Sequence, residues 1–182
     1  MRCPKDKTEL LDRELAGGLV GKHCPTCEGD WIPPEDYYHW QQQQQHPFKI
    51  APPRFDLDFT PAEADAKAGL CPDCNAYMSR ARIGTKTPFY LERCGRCNGV
   101  WCDRGEWDAL VTLNLHGSLE QLFTSEWQTK VKELEYADRE RRATVEKLGD
   151  ELANRVFELA EMLERHPNGD FGVAYLMRRF DK

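Results

Sequence analysis

Eight cysteines give this chain its most specific chemical signal, because most of them occur in pairs separated by two residues. Two pairs, Cys71/Cys74 and Cys94/Cys97, enclose a short stretch of chain. Two intervening residues let the backbone curl so that both sulfurs of a pair face one ion. Four thiolates in this pattern are typical of a closed structural zinc site, with a four-sulfur iron site and disulfide bonds as the alternatives.

An earlier segment repeats this plan less completely. Cys3-Pro4-Lys5-Asp6 precedes the first pair by 68 residues, and Cys24-Pro25-Thr26-Cys27 precedes the second by 70. Asp6 stands where the second repeat has a cysteine, and a carboxylate oxygen can ligate zinc although it is a harder ligand than sulfur. We therefore expect a second, weaker site at Cys3, Asp6, Cys24 and Cys27, hence two zinc ions per chain. The alternatives for the fourth position are another protein ligand, a water molecule or no metal at all. His23 is disfavoured as a ligand because neighbouring residues on a strand point to opposite faces.

The elements that must position these ligands are short hairpins. Strand-like runs separated by glycine-containing turns lie between the cysteine pairs of each repeat, at 8–15 and 19–23 and again at 76–83 and 88–93. Each repeat has roughly 35–40 residues, a size at which a chain usually needs a metal, a disulfide or a partner. Zinc in such a site contributes about 10–16 kcal/mol. Gly29 and Gly99 are expected to adopt positive φ as the chain leaves the metal.

The second repeat resembles the transcription factor IIB-type zinc-ribbon family of small bacterial proteins. The resemblance rests on Cys71-Pro-Asp-Cys74, Cys94-Gly-Arg-Cys97-Asn-Gly-Val-Trp101 and Asp103-Arg-Gly-Glu106, and it covers about residues 1–40 and 70–112. It implies a zinc-stabilised three-stranded ribbon. It also implies binding to nucleic acid or to the transcription machinery, which is an analogy from fold.

Helices are expected after each ribbon and in the linker. Asp103 with Glu106 forms a capping-box pattern, and Pro34 suits the first turn of a helix that Gln41–Gln45 extend. In the linker, alternation of Phe55, Leu57 and Phe59 with aspartates predicts a strand, and Thr60-Pro61-Ala62-Glu63 predicts a short helix. The predicted domains are a first ribbon with its helix at 1–45, a linker at 46–70, a second ribbon with its helix at 71–114 and a helical region at 115–182.

The C-terminal third has the apolar spacing of a long helix. Apolar residues recur every three or four positions, at Trp127, Val131, Leu134, Val145, Leu148, Leu152, Val156, Leu159 and Leu163. A single helix of roughly 45 residues would be about 68 Å long, more than two ribbons can cover, so we expect a homo-oligomer or a protein partner. Gly149 is a candidate kink, and 171–180 is expected to form a short helix that folds back. The predicted fold is therefore a small, metal-stabilised α+β protein with a C-terminal helical arm.

Charge separates the two functional hypotheses. Residues 71–104 carry six basic and three acidic side chains, whereas the helical region is acidic. Basic side chains of the second ribbon could contact a nucleic-acid backbone, and these candidates are Arg80, Arg82, Lys86, Arg93 and Arg96. The alternative is a protein–protein adaptor or self-assembling scaffold that uses the C-terminal helix, with zinc purely structural.

Other features limit the classes of function. The sequence has no apolar run long enough for a membrane helix and no signal region, so we expect a cytoplasmic protein with reduced thiols. A phosphate loop, a nucleophile elbow and an HExxH motif are all missing, so we do not expect an enzyme. Cys102 aligns with Ile32 of the first repeat, which favours a small buried hydrophobic role for this thiol.

Overall fold

The computed structural model describes residues 1–44 and 55–180. These residues form two compact units, Met1–Leu134 and Glu135–Lys182, each of which is described by itself. The end of the glutamine run at Gln45 and the predicted helix stop at His46-Pro47 lie outside the described residues.

A single antiparallel sheet of six strands organises the first unit, in the order β1-β2-β3-β6-β5-β4. The strands are β1 (Leu11–Glu14), β2 (Val20–His23), β3 (Asp30–Ile32), β4 (Met78–Ile83), β5 (Phe89–Cys94) and β6 (Val100–Cys102). Both predicted hairpins are present, but the two repeats do not form separate small sheets. β3 and β6 pair with each other, which merges them into one larger sheet. The overall class, α+β, is as predicted.

The pairing of β3 with β6 relates the two repeats by a local two-fold axis. Trp31 lies opposite Trp101, so equivalent tryptophans of the two repeats face each other across the axis. A Cβ atom on Gly99 would lie 2.2 Å from Trp31 Cζ2, and one on Gly29 would lie 2.3 Å from Trp101 Cζ2. Each glycine therefore makes room for the tryptophan of the other repeat. The expected positive φ at these glycines is wrong, because the preceding residues, Glu28 and Asn98, adopt it instead.

Helices and turns cover one face of the sheet. α1 (Pro34–Gln43) follows β3 and begins at the predicted proline, and α2 (Glu106–Thr112) follows β6. The N-cap of α2 is Gly105, not the aspartate of the capping box. A 3-10 turn at His116–Ser118 leads to α3 (Leu119–Leu122) and then to α4 (Ser125–Leu148), whose first part belongs to this unit.

The main core lies between the sheet and these helices. Fully buried side chains come from both repeats and from the segment after α2, and they include Leu19, Ile32, Ile83, Phe89, Leu91, Leu110, Leu115, Leu119 and Leu122. The hydroxyl of the buried Tyr37 is satisfied, since Oη donates to the carbonyl of His116 at 3.0 Å and accepts the amide N–H of Leu119 at 3.1 Å. The two repeats thus share one core.

The linker packs on the first unit without forming the predicted strand. Phe55 stacks on Trp127 with a 6.4 Å centroid separation, and Phe59 meets Phe89 edge-on at 5.0 Å. The backbone N–H of Phe55 donates to the carbonyl of Gly84, yet residues 55–62 have no strand pairing. The predicted linker helix is a single 3-10 turn at Glu63–Ala66.

The second unit contains the end of α4, α5 (Asp150–Arg165) and α6 (Gly169–Phe180). The expected helix of about 45 residues is interrupted at Gly149, the candidate kink, which has φ +74° and separates α4 from α5. Within the unit, the guanidinium of Arg141 lies 3.8 Å from the ring centroid of Phe157, and α6 contacts α5 as a helix that folds back. Among the residues that the structure describes, none of the helices combines the length and apolar character needed to cross a membrane.

Candidate metal centres

The four cysteines of the second repeat converge at the end of the β4–β5 hairpin. The Sγ atoms of Cys71 and Cys97 are 3.5 Å apart, and those of Cys74 and Cys94 are 3.4 Å apart. All four sulfurs lie within 4.8 Å of one another. Sulfurs about 2.3 Å from a tetrahedral zinc are separated by about 3.8 Å. The cluster therefore has the dimensions of a four-sulfur metal site and can hold an ion.

Backbone amides orient these sulfurs. The N–H of Cys74 donates to Cys71 Sγ, and the N–H groups of Arg96 and Cys97 donate to Cys94 Sγ, all at 3.4–3.5 Å. Both knuckles close with a residue at positive φ, Asn75 and Asn98, a conformation that asparagine tolerates better than most side chains. Such hydrogen bonds stabilise thiolate, the form that binds metal.

The first repeat forms the equivalent cluster with a mixed donor set. Cys3 and Cys27 have Sγ atoms 3.5 Å apart, and Cys24 Sγ lies 3.3 Å from Asp6 Oδ2. These four side chains again lie within 4.8 Å of one another, so Asp6 occupies the fourth position that the repeat alignment gave it. His23 lies elsewhere, with Nδ1 2.8 Å from Asp30 Oδ1.

The two clusters differ in accessibility and in protonation. Asp6 is exposed, and although its limited burial acts in the other direction, hydrogen bonds from Thr8 and from the nearby thiols lower its pKa to about 2. Burial raises the pKa of the Cys3 thiol to about 11. In the second cluster burial also opposes ionisation of Cys94, but hydrogen bonds from the amides of Cys97 and Arg96 outweigh it and lower the pKa to about 7. A bound cation would stabilise all the thiolates together.

Both clusters adjoin a common apolar wall. Buried side chains from both repeats pack around the sulfurs, and they are Leu10, Trp31, Met78 and Trp101. Cys102 is fully buried in the main core, where burial raises the pKa of its thiol well above the ordinary value. The eight cysteines are all free of disulfide bonds.

A buried ionic network, which sequence reasoning missed, lies beside the first cluster. Lys5 Nζ is 2.7 Å from Glu92 Oε1 and 3.1 Å from Asp103 Oδ2, and it donates to the carbonyls of Ala64 and Lys67 at 3.0 and 2.6 Å. Burial opposes the charge on Lys5, but the two carboxylates outweigh it and raise the pKa of the lysine. The lysine therefore connects the first repeat to the linker and to the second repeat.

Helix α2 brings one more acidic group, Glu106, to this network. The capping-box pattern accounts for one contact, because the N–H of Asp103 donates to Glu106 Oε2 at 2.8 Å. Asp103 Oδ1 accepts the indole N–H of Trp101 at 2.8 Å. Burial, together with the nearby Asp103 and Asp65, raises the pKa of Glu106 well above its ordinary value. The one available signal for this network was an acidic residue, Glu92, inside an otherwise strand-like run.

The candidate nucleic-acid contacts do not form one open patch. Arg80 is half-buried against Asp65 and lies 4.1 Å from the centroid of Tyr90, and the Arg82 guanidinium donates to Tyr90 Oη. Lys86 Nζ is 2.7 Å from Asp56. The two others are Arg93, which lies over Phe123 and donates to Asn98, and Arg96, which is exposed on the knuckle.

Comparison with known proteins adds no relative to this geometry. No family model matches the chain, and neither the curated proteins nor the solved structures contain a significant match to it.

Proposed function

We propose that this chain is a zinc-stabilised, non-enzymatic scaffold that assembles with a second copy of itself through its C-terminal helices. The observation that carries the proposal is the apolar surface of α5 and α6. One apolar stripe of α5 contains Leu152, Val156 and Leu159. One apolar stripe of α6 contains Val173, Met177 and Phe180. The exposed large apolar side chains of the two helices are Leu152, Val156, Leu159, Met162, Phe171, Val173, Tyr175, Met177 and Phe180. Extended apolar surface of this kind marks an interaction site.

Charge favours a second copy as the occupant. Helix α5 carries five acidic and two basic side chains, whereas α6 carries one acidic and two basic side chains. The α5 of one copy and the α6 of another are therefore complementary in charge as well as in apolar character. A closed symmetric dimer would use each stripe twice, which is the usual form of self-association.

Zinc fits this proposal as a structural ion. Each cluster offers four protein ligands, so a tetrahedral ion at either cluster would have no open position for substrate. We expect two zinc ions per chain in colourless protein, measured by elemental analysis and native mass spectrometry. Cys94→Ala should retain one zinc ion and Cys102→Ala, at a thiol outside both clusters, should retain two. A coloured, iron-containing protein would contradict the assignment of zinc.

Assembly is tested by light scattering on zinc-loaded protein at micromolar concentration. The wild type is expected to be a dimer or larger. Val156→Lys combined with Met177→Lys, which places a charge on each stripe, should give monomer. Tyr77→Lys is the matched control, since Tyr77 is 89% exposed but lies in the first unit, and it should assemble like the wild type. A monomeric wild type would refute self-assembly and leave a different protein as the occupant.

Nucleic-acid or transcription-machinery binding through the second ribbon stays a prediction, together with the resemblance to the transcription factor IIB-type family that suggested it. Its support is the net positive charge of residues 71–104 and the exposed guanidinium of Arg96. Fluorescence anisotropy with single-stranded and duplex probes should then show binding that weakens steeply as salt rises. Affinity that is missing at low salt, or that does not respond to salt, would exclude this function.

A further inference from the structure

Three acidic side chains meet under the linker, and none of them belongs to either cysteine cluster. Asp65 comes from the 3-10 turn of the linker, Asp103 from the loop after β6, and Glu106 from the first turn of α2. They are 5%, 2% and 0% exposed, and one carboxylate oxygen from each lies within 4.8 Å of the others. Two segments distant in sequence, the linker and the loop that leads into α2, thus deliver oxygen donors to one enclosed place.

The cations beside this place do not balance its charge. Glu92 is fully engaged, because Oε1 is held by Lys5 and Oε2 accepts the amide of Gly69 at 3.0 Å. Lys5 is shared between Glu92 and Asp103, and Arg80 pairs with Asp65. The network therefore contains four carboxylates and two basic side chains. With every carboxylate ionised, it lacks two positive charges.

Two buried oxygens in the cluster lack a hydrogen bond among the described residues, Asp103 Oδ2 and Glu106 Oε1. Asp103 Oδ2 lies 3.1 Å from Lys5 Nζ, so Glu106 Oε1 is the one without an ion-pair partner as well. Glu106 Oε2 accepts the amide of Asp103, but Oε1 is buried and has no hydrogen-bond partner within the described parts of the chain. An ionised carboxylate oxygen enclosed in protein without a partner is strongly destabilising. This side chain is completely buried and lies among the other two carboxylates, so its unpartnered oxygen is available to a further group.

We propose that Asp65, Asp103 and Glu106 bind a hard divalent cation such as Mg²⁺, Mn²⁺ or Ca²⁺. Oxygens about 2.1 Å from Mg²⁺ or about 2.4 Å from Ca²⁺ are at most about 4.2–4.8 Å apart, which agrees with the observed grouping. A donor set of oxygen alone disfavours the metals that prefer thiolate. A charge of two would balance the network and give Glu106 Oε1 a partner. This site would be a third metal centre, independent of the two cysteine clusters.

Mn²⁺ reports on this site without competing effectively for the thiolates. Zinc-loaded protein is titrated with Mn²⁺ at neutral pH, and free Mn²⁺ is followed by electron paramagnetic resonance. The expected result is one bound Mn²⁺ per chain with a dissociation constant below about 1 mM, displaced by Mg²⁺ or Ca²⁺, while the zinc content of the same sample stays unchanged. An unchanged zinc content separates the result from any failure of the cysteine sites.

Two isosteric variants make the assignment specific. Glu106→Gln can still accept the amide of Asp103, because glutamine also serves in a capping box, but it should bind Mn²⁺ at least about tenfold more weakly. Asp65→Asn should do the same, and it decides the matter if Glu106→Gln does not fold. Glu126→Gln, on an exposed helix face of the same unit, should bind like the wild type.

Two results would overturn the proposal. One is a folded, zinc-loaded wild type that retains no Mn²⁺, which would mean that Glu106 satisfies its charge with a proton instead of a cation. The other is equal Mn²⁺ binding by the wild type and both variants, which would place the ion on the acidic surface.

Discussion

Replacing Lys5 by methionine tests the buried ionic network most directly. The change keeps a long, flexible side chain but removes the positive charge held by Glu92 and Asp103. The two carboxylates are 0% and 2% exposed, so solvent cannot replace the lysine. Removing one partner of a buried ion pair typically costs 3–5 kcal/mol, because an uncompensated charge stays behind. We expect Lys5→Met to lower the free energy of unfolding by about that amount.

The matched control is Lys22→Met. Lys22 also pairs with an aspartate, Asp12, but that carboxylate is 69% exposed. Exposed pairs contribute about 0–1 kcal/mol, so this control should unfold almost like the wild type. Urea unfolding of each protein is followed by tryptophan fluorescence at limiting and at saturating zinc, and zinc content is measured in parallel because Lys5 adjoins Asp6. Part of the loss should be recovered when Lys5→Met is combined with Glu92→Gln, which removes one of the buried charges.

The result that would refute this reasoning is a loss below about 1 kcal/mol for Lys5→Met with both zinc ions retained. That outcome would mean that the carboxylates are neutral or solvated in the folded protein. A loss that disappears once zinc is saturating would instead place the effect on the first metal cluster.

Three further predictions concern packing, pH and metal. Gly99→Ala should destabilise the protein by about 1–3 kcal/mol in urea unfolding, because the new Cβ would lie 2.2 Å from Trp31. Gly95→Ala is the control, since its Cβ meets nothing within 4 Å and the change should be neutral. Equal stability of the two variants would contradict the tryptophan–glycine contact. Burial raises the pKa of Tyr37 to about 12 from its ordinary 10.0. Above pH 10 the unfolded chain therefore loses this proton first, and the free energy of unfolding should fall by about 2 kcal/mol at pH 12. The Tyr37→Phe variant should lose less stability over the same pH range. A chelator should remove zinc from the first cluster before the second, and Asp6→Cys should reduce that difference, since thiolate binds zinc more tightly than an exposed carboxylate; simultaneous loss of both ions would contradict unequal sites.

The cysteine clusters could be predicted because their geometry is local. Each knuckle depends on four or five consecutive residues, and the same hydrogen bond from the residue after the second ligand to the carbonyl of the first closes all four, as Asn75 N–H does to Cys71 and Asn98 N–H to Cys94. The repeat alignment therefore carried Asp6 to the correct place. Which metal these clusters could hold depends on chemistry that spacing alone does not decide.

Features that depend on pairing between distant residues could not be predicted from the sequence. The β3–β6 pairing joins residues about seventy positions apart, and each of these strands has only three residues. Three residues are too few for the side-chain pattern to predict which strand pairs with which. Each repeat is too small to fold alone only if the two repeats are separate, but Ile32 and Phe89 lie in one shared core. A bound metal would therefore not be the sole source of stability in the first unit.

Contacts between distant residues also pair some basic side chains of the second ribbon, although nucleic-acid binding stays a prediction. Counting charges along the second ribbon gave an excess of positive side chains, but the linker brings Asp65 to Arg80 and Asp56 to Lys86. The long C-terminal helix is divided at one residue, Gly149, whose positive φ ends α4. A glycine inside an apolar repeat permits either a continuous helix or a break, and only the tertiary structure decides between them.

The arrangement of the two tryptophans implies that neither repeat is complete. Taken alone, a single repeat would leave its third strand as a bare sheet edge, with Trp31 or Trp101 projecting into solvent beside an unfilled glycine. Two separate copies could cover these edges only by forming an isologous dimer. The tandem chain builds that dimer within one molecule, so cutting it between the repeats should yield halves that reassociate and that are insoluble or unfolded when kept apart.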